Sequence, residues 1–239
     1  MPQLLRRVPA SGELGRSVAR CGACGHPLSP QLVPAALPWV LAAGRCAGCG
    51  AARPRWWAAV EVATGVTFGL AAGRAGWSAT LLPVLSLFAG LVAMSTVDLW
   101  AMRIPTRFAH GTAGAVGAAI LVATAIDSGI DADTLRAALV GAAVLGGGLL
   151  VLHLISPRML GFGDVRLATV AGLVVGWLAW TPEHPVVGAV EEALDAALLG
   201  GLIGTLVGIV LLAMRRRNEP FPFGPSLAVG AALVILASL

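Results

Sequence analysis

An all-α, polytopic membrane bundle of about seven transmembrane helices, led by a small N-terminal cytoplasmic zinc-binding domain, is the fold class this sequence predicts. Three observations carry that expectation. The chain has 239 residues, 57% of them hydrophobic and 12% charged, whereas soluble domains run at about 45–50% and about 25%. One core of ordinary size cannot hide that much apolar surface. The apolar residues fall into seven long stretches, and all four cysteines lie in the first 55 residues.

Residues 1–55 form the first expected domain, with seven arginines and several prolines besides the cysteines. Its one apolar stretch, LVPAALPWVLAAG (32–44), is too short to span a bilayer and is broken by Pro34 and Pro38. It folds within the domain or lies at the interface. No cleavable signal sequence is evident, since no apolar core follows the first arginines. Residues 56–239 form the second, membrane-embedded domain. Its apolar stretches cover roughly 57–73, 77–97, 109–126, 135–156, 165–180, 196–214 and 224–239. A spanning helix needs about 20 residues, so the first, fifth and last need flanking residues. Helix is the state that satisfies their backbone groups without water. The glycines at 146–148 and the pair Gly200/Gly204 suit close helix contact, or equally an ordinary lipid-facing surface.

All sixteen basic residues are arginine, and the formal charge is +4. They lie between apolar segments rather than on one patch, so lipid rather than nucleic acid is the expected partner, and positive-inside topology explains them. With residues 1–55 cytoplasmic, so are the loops carrying Arg103, Arg107, Arg158 and Arg215–Arg217. The other side holds Asp127, Asp131, Asp133, Glu183, Glu191, Glu192 and Asp195. Asp98 ends a helix on the cytoplasmic side and Asp164 starts one there, at similar depth.

Two carboxylates brought close cannot both ionise cheaply, so the pair shares a proton. The ionised member can deprotonate water while the protonated member polarises a carbonyl. Gly161 and Gly163 beside Asp164 admit an extended substrate backbone. A structural reading stands beside this one. Asp164 suits the positive end of a helix dipole, and Asp98 can pair with Arg103. Ion binding is a further use of such residues.

Cys21/Cys24 and Cys46/Cys49 form two C-x-x-C pairs with 21 residues between them, the form of a four-thiolate zinc site. A redox pair and inert cysteines are the other readings. Four protein ligands leave no open position, so the zinc is expected to be structural. Glu61, inside the first apolar stretch, is expected to face a cavity or an arginine and is a candidate substrate-binding residue. His153 is expected to bond a neighbouring helix. Trp56, Trp57, Trp77, Trp100, Trp177 and Trp180 lie near helix ends, as interfacial anchors do.

Taken in order, these motifs resemble the type IV prepilin peptidases, the GxGD membrane aspartic proteases. The double C-x-x-C leads into RPRWWAAVEVATG, VDLWAMRIP looks like the first aspartate motif, GFGDVRLA like the second, and PFPFGPSLAVGAAL like the closing helix. The resemblance implies that Asp98 and Asp164 are the catalytic pair of a membrane aspartic protease domain. It implies prepilin or pseudopilin substrates, cut after a glycine between a basic leader and an apolar helix, on the cytoplasmic side of a bacterial inner membrane. It also implies N-methylation of the new N-terminus from S-adenosylmethionine. Two departures stand out. The family's chain usually opens with another helix ending in a Gly-Ser-Phe-type motif, so this chain is a shortened seven-helix form or its start is misplaced. The acid or amide common after the first motif's proline is Thr106, expected to bear on the loop more than on chemistry. The alternatives are an ion-coupled transporter using the paired aspartates, a membrane scaffold with a zinc module, and a related protease acting on preflagellin or presenilin-like substrates.

Overall fold

A computed structural model describes residues 24, 45–46, 48–52, 55–102, 104–127, 131–157, 160–184, 186–214 and 222–239. The segment 32–44, Cys21, and the arginines at 103, 158 and 215–217 lie outside them. Seven helices follow one another among the described residues: α1 Arg55–Ala75, α2 Leu81–Ala101, α3 Thr106–Asp127, α4 Ala132–Ile155, α5 Phe162–Leu178, α6 Val187–Ala213 and α7 Gly224–Ser238. The fold is all-α. The chain divides into two compact units, Met1–Val66 and Thr67–Leu239, with the division inside α1.

Four helices, α2, α3, α4 and α6, are long and apolar enough to cross a membrane, while α7 is a shorter apolar helix. At about 1.5 Å per residue, the 17 residues of α5 reach about 25 Å, short of the roughly 30 Å hydrocarbon core. Burial resolves the mismatch. From Val165 to Trp177 most of α5 is buried among other helices, so protein rather than lipid surrounds it. The outer helices instead show apolar faces, such as Leu198, Leu202, Ile209 and Leu212 on α6, as lipid contact requires.

Small residues set the closest crossing, that of α4 on α5. An added Cβ at Gly141 would meet the Gly172 carbonyl and, at 2.7 Å, the Cα of Gly176. In hydrocarbon such approach converts directly into dispersion contact. Gly146 likewise faces Thr169, Gly200 faces Leu227 of α7, and Gly204 faces Phe223 just before that helix. Gly147 and Gly148 face open space, so only one glycine of that triplet serves helix contact. The Gly172→Val protein should therefore unfold in detergent with a loss of about 2 kcal/mol or more, while Gly147→Ala stays within about 0.5 kcal/mol of the parent. Equal thermal midpoints for the two variants would contradict the crossing.

Two features differ from the sequence expectation. Helix α6 begins at Val187, not near 196, because acids can continue a helix past the apolar zone and favour its N-terminal part. Exposed Glu191 and Asp195 lie on this extension. Trp177 is a core residue rather than an interfacial anchor: it is buried, and its Nε1–H donates to Thr124 Oγ1 at 3.0 Å. Trp77, by contrast, is fully exposed at the α1–α2 turn. The side chains of Trp56, Trp57 and Trp100 lie outside those described.

Candidate active site

Asp98 sits in the last turn of α2, and the chain leaves that helix through Met102, which adopts a left-handed conformation (φ 50°). The Met102 N–H donates to the Asp98 carbonyl at 2.9 Å, closing the helix one turn after the carboxylate. A non-glycine residue in this region costs about 1–2 kcal/mol. The sharp turn lets Ile104 fold back, buried, against Gly163, where an added Cβ would stand 3.1 Å from the Ile104 Cβ. The glycine's open side is thus filled by Ile104.

Asp164 is the third residue of α5. Its Oδ2 accepts the Gly161 backbone N–H at 3.2 Å, the arrangement by which an acid in the first turn steadies a helix start. That bond occupies one oxygen and leaves Oδ1 for other work. Asp98 and Asp164 are both buried, and Asp98 Oδ2 has no hydrogen-bond partner. An unpaired buried carboxylate oxygen is costly, and the backbone N–H that faces this carboxylate is that of Gly224.

The two acids meet at a third helix. A Cβ placed on Gly224, the first residue of α7, would lie 2.9 Å from Asp98 Oδ2 and 3.2 Å from Asp164 Oδ1. Those two oxygens are therefore no further apart than the two distances laid end to end, about 6 Å. Carboxylates separated by 66 positions in the sequence converge at one end of the bundle, as two intervening helix crossings allow. Beside them opens a cavity of about 270 Å³ lined by Asp98, Met102, Ile104, Gly161, Phe162, Gly163 and Asp164.

Around its mouth, Arg166 stands 4.7 Å over the Phe162 ring and donates to Thr106 Oγ1 at 2.7 Å, which ties the start of α3 to α5. Thr106 thus has a structural role at the loop. His153 Nδ1 bonds the Leu160 carbonyl at 2.7 Å, holding the α4–α5 loop rather than a neighbouring helix. Glu61 is partly buried on α1, in the other unit. Sequence reasoning missed Gly224, Met102, Ile104 and Phe162. Each lies inside a quoted motif, Met102 and Ile104 in VDLWAMRIP, Phe162 in GFGDVRLA and Gly224 in PFPFGPSLAVGAAL, and the motif alone does not single it out.

In the N-terminal unit, the sulfurs of Cys24, Cys46 and Cys49 all lie within 4.8 Å of one another. Cys24 and Cys46 sulfurs are 3.9 Å apart, far from a bonded disulfide at about 2.05 Å and close to the roughly 3.8 Å edge of a tetrahedron with 2.3 Å zinc–sulfur bonds. Gly50 supplies the left-handed residue (φ 69°) of the turn after Cys49, and its N–H donates to the Cys46 carbonyl at 2.9 Å. The three thiols fit a metal ion.

Fold and site together define a helical membrane protein with a buried carboxylate pair at one end of its bundle and a cysteine cluster near its N-terminus. Residues 2–75 match the Bacterial Peptidase A24 N-terminal domain, and residues 85–213, more than half of the chain, match the Type IV leader peptidase family. The chain belongs to the type IV leader peptidase family. Among its relatives is a prepilin leader peptidase/N-methyltransferase of Bacillus subtilis, 28% identical over 231 residues, which are 96% of this chain and 86% of that protein. Proteins of the same name from Aeromonas salmonicida and Pseudomonas aeruginosa are 28% and 26% identical, each over 90% of this chain and 70% of theirs. No solved structure matches the chain.

Proposed function

We propose that the chain is a membrane-embedded aspartic endopeptidase that removes the basic leader from prepilin or pseudopilin substrates at the cytoplasmic face of a bacterial inner membrane. The observation that carries this reading is the convergence of two buried carboxylates on Gly224, beside a cavity at one end of the bundle. In the proposed cycle the ionised member of Asp98 and Asp164 takes a proton from water, whose oxygen attacks the scissile carbonyl carbon. The protonated member gives its proton to the carbonyl oxygen. Collapse of the tetrahedral intermediate breaks the C–N bond. The amine leaves with the proton first taken from water, and the second carboxyl recovers its own from the hydroxyl. Gly161 and Gly163 both line the cavity, where Gly161 admits the substrate backbone and Gly163 seats Ile104 in the wall; Glu61 is assigned a substrate-binding role.

Zinc held by Cys24, Cys46 and Cys49, with Cys21 as fourth ligand, fastens the N-terminal domain; residues 1–55 and 56–239 remain the functional division. The names of the relatives also speak for N-methylation from S-adenosylmethionine. Nothing among the described residues marks a methyl-donor pocket, and no methyl-transfer step is assigned to them. The ion-coupled transporter finds no support in the family. A carrier's charged residues belong near the bilayer midplane, whereas here they lie at helix ends. A second cavity, of about 640 Å³, is lined by Leu178 and Ala179 at the far end of α5, and the helix between the two cavities is packed from Leu167 to Val175.

The test is direct. The protein reconstituted in liposomes should cut a peptide carrying a basic leader, a glycine and an apolar helix once, after that glycine, as mass spectrometry reads. Cation uptake without cleavage would favour the transporter.

A further inference from the structure

We infer that Gly224 is a positioning residue of the carboxylate pair, and that the space left by its missing side chain holds the gap in which water and the scissile carbonyl sit. The inference rests on the endopeptidase reading above. A Cβ at 2.9 Å from Asp98 Oδ2, 3.2 Å from Asp164 Oδ1 and 3.5 Å from Asp98 Cγ lies inside ordinary contact distance of both oxygens. These are the two oxygens that the rest of the site leaves for chemistry. Asp98 Oδ2 is unpartnered, and the other oxygen of Asp164 is held by Gly161.

The start of α7 cannot retreat to make room. Phe223 packs on α6 where Gly204 lacks a side chain: a Cβ there would be 2.6 Å from the Phe223 ring. One turn on, the Leu227 backbone lies against Gly200, 2.9 Å from the corresponding position. Pro225 fixes the backbone between them. A side chain at 224 is accommodated only by rotating Asp98 away or by pulling Asp164 off the Gly161 N–H. Either movement separates the acid from the base. The backbone N–H of Gly224, one of the free donors at a helix start, also faces the Asp98 carboxylate.

The experiment measures kcat, KM and the pH–rate profile of Gly224→Ala in liposomes, with thermal midpoints in detergent. Expected are a fall in kcat of about 100-fold or more, a KM within about threefold of the parent, a displaced limb of the pH profile and an unchanged midpoint. Gly208→Ala on α6, which faces open space, should match the parent. Adding Phe223→Leu frees the first turn of α7 to shift toward α6 at Gly204 while Leu227 stays against Gly200, and should restore at least about tenfold of the lost kcat. Should the single variant fail to accumulate, the double variant is read against the parent, with a kcat about tenfold lower expected. Parental kcat in Gly224→Ala or, where that variant does not accumulate, in the double variant, or no recovery on adding Phe223→Leu, overturns the inference while the aspartate variants remain inactive. Cleavage by those aspartate variants would instead overturn the endopeptidase reading itself.

Discussion

Replacing Asp98 or Asp164 with Asn should abolish leader cleavage, by several orders of magnitude in kcat, while leaving the protein inserted and folded. Asn keeps the shape of Asp but can neither take a proton from water nor carry one to a carbonyl. The loss is therefore of a transition-state role rather than of binding. Asn at 98 puts an amide N–H2, able to donate to the neighbouring Asp164 carboxylate, where one carboxylate oxygen stood and removes the like charge, so its thermal midpoint should hold or rise. Asn at 164 keeps a carbonyl that can accept the Gly161 N–H. Loss of activity with retained stability separates a catalytic pair from two structural acids. Substitution of structural acids should lower stability first.

The second large effect concerns the metal. Elemental analysis of protein purified without chelators should find about one zinc per chain, with zinc–sulfur distances of about 2.3 Å in X-ray absorption. Cys46→Ser should release it, since Cys46 is the buried member of the cluster. Metal binding at such sites supplies about 10–16 kcal/mol of apparent free energy. Its loss should open residues 1–55 to protease while α2 to α7 stay protected and some leader cleavage persists. Protein that is metal-free when native, or whose cysteines are disulfide-bonded in the cytoplasm, would contradict the zinc assignment.

Much of this architecture was legible in the residues, because membrane helices announce themselves by apolar length and because a carboxylate at the end of such a run is hard to excuse. Asp98 and Asp164 could be placed at one depth by counting crossings. The same counting lets the two carboxyl groups converge to within about 8 Å; what it leaves out is the part played by the tight crossing of α4 and α5 and by the point where α7 begins. Gly224 shows the limit. Its neighbours Phe223 and Pro225 mark a helix start without a capping side chain, yet only the fold shows that two carboxylates lie where its Cβ would be. Trp177 misleads in a similar way. Interfacial and buried tryptophans look alike in sequence, and the choice between them is made by Thr124, 53 positions away.

The central claim is that Asp98 and Asp164 act as one unit. Single-turnover cleavage of the leader peptide by the parent, Asp98→Asn, Asp164→Asn and the double variant, in the same liposomes, tests it most directly. Groups that act together are non-additive, so the double variant should be no slower than the slower single one. Near-parental cleavage by either single variant, or losses that multiply in the double, would contradict a shared catalytic pair.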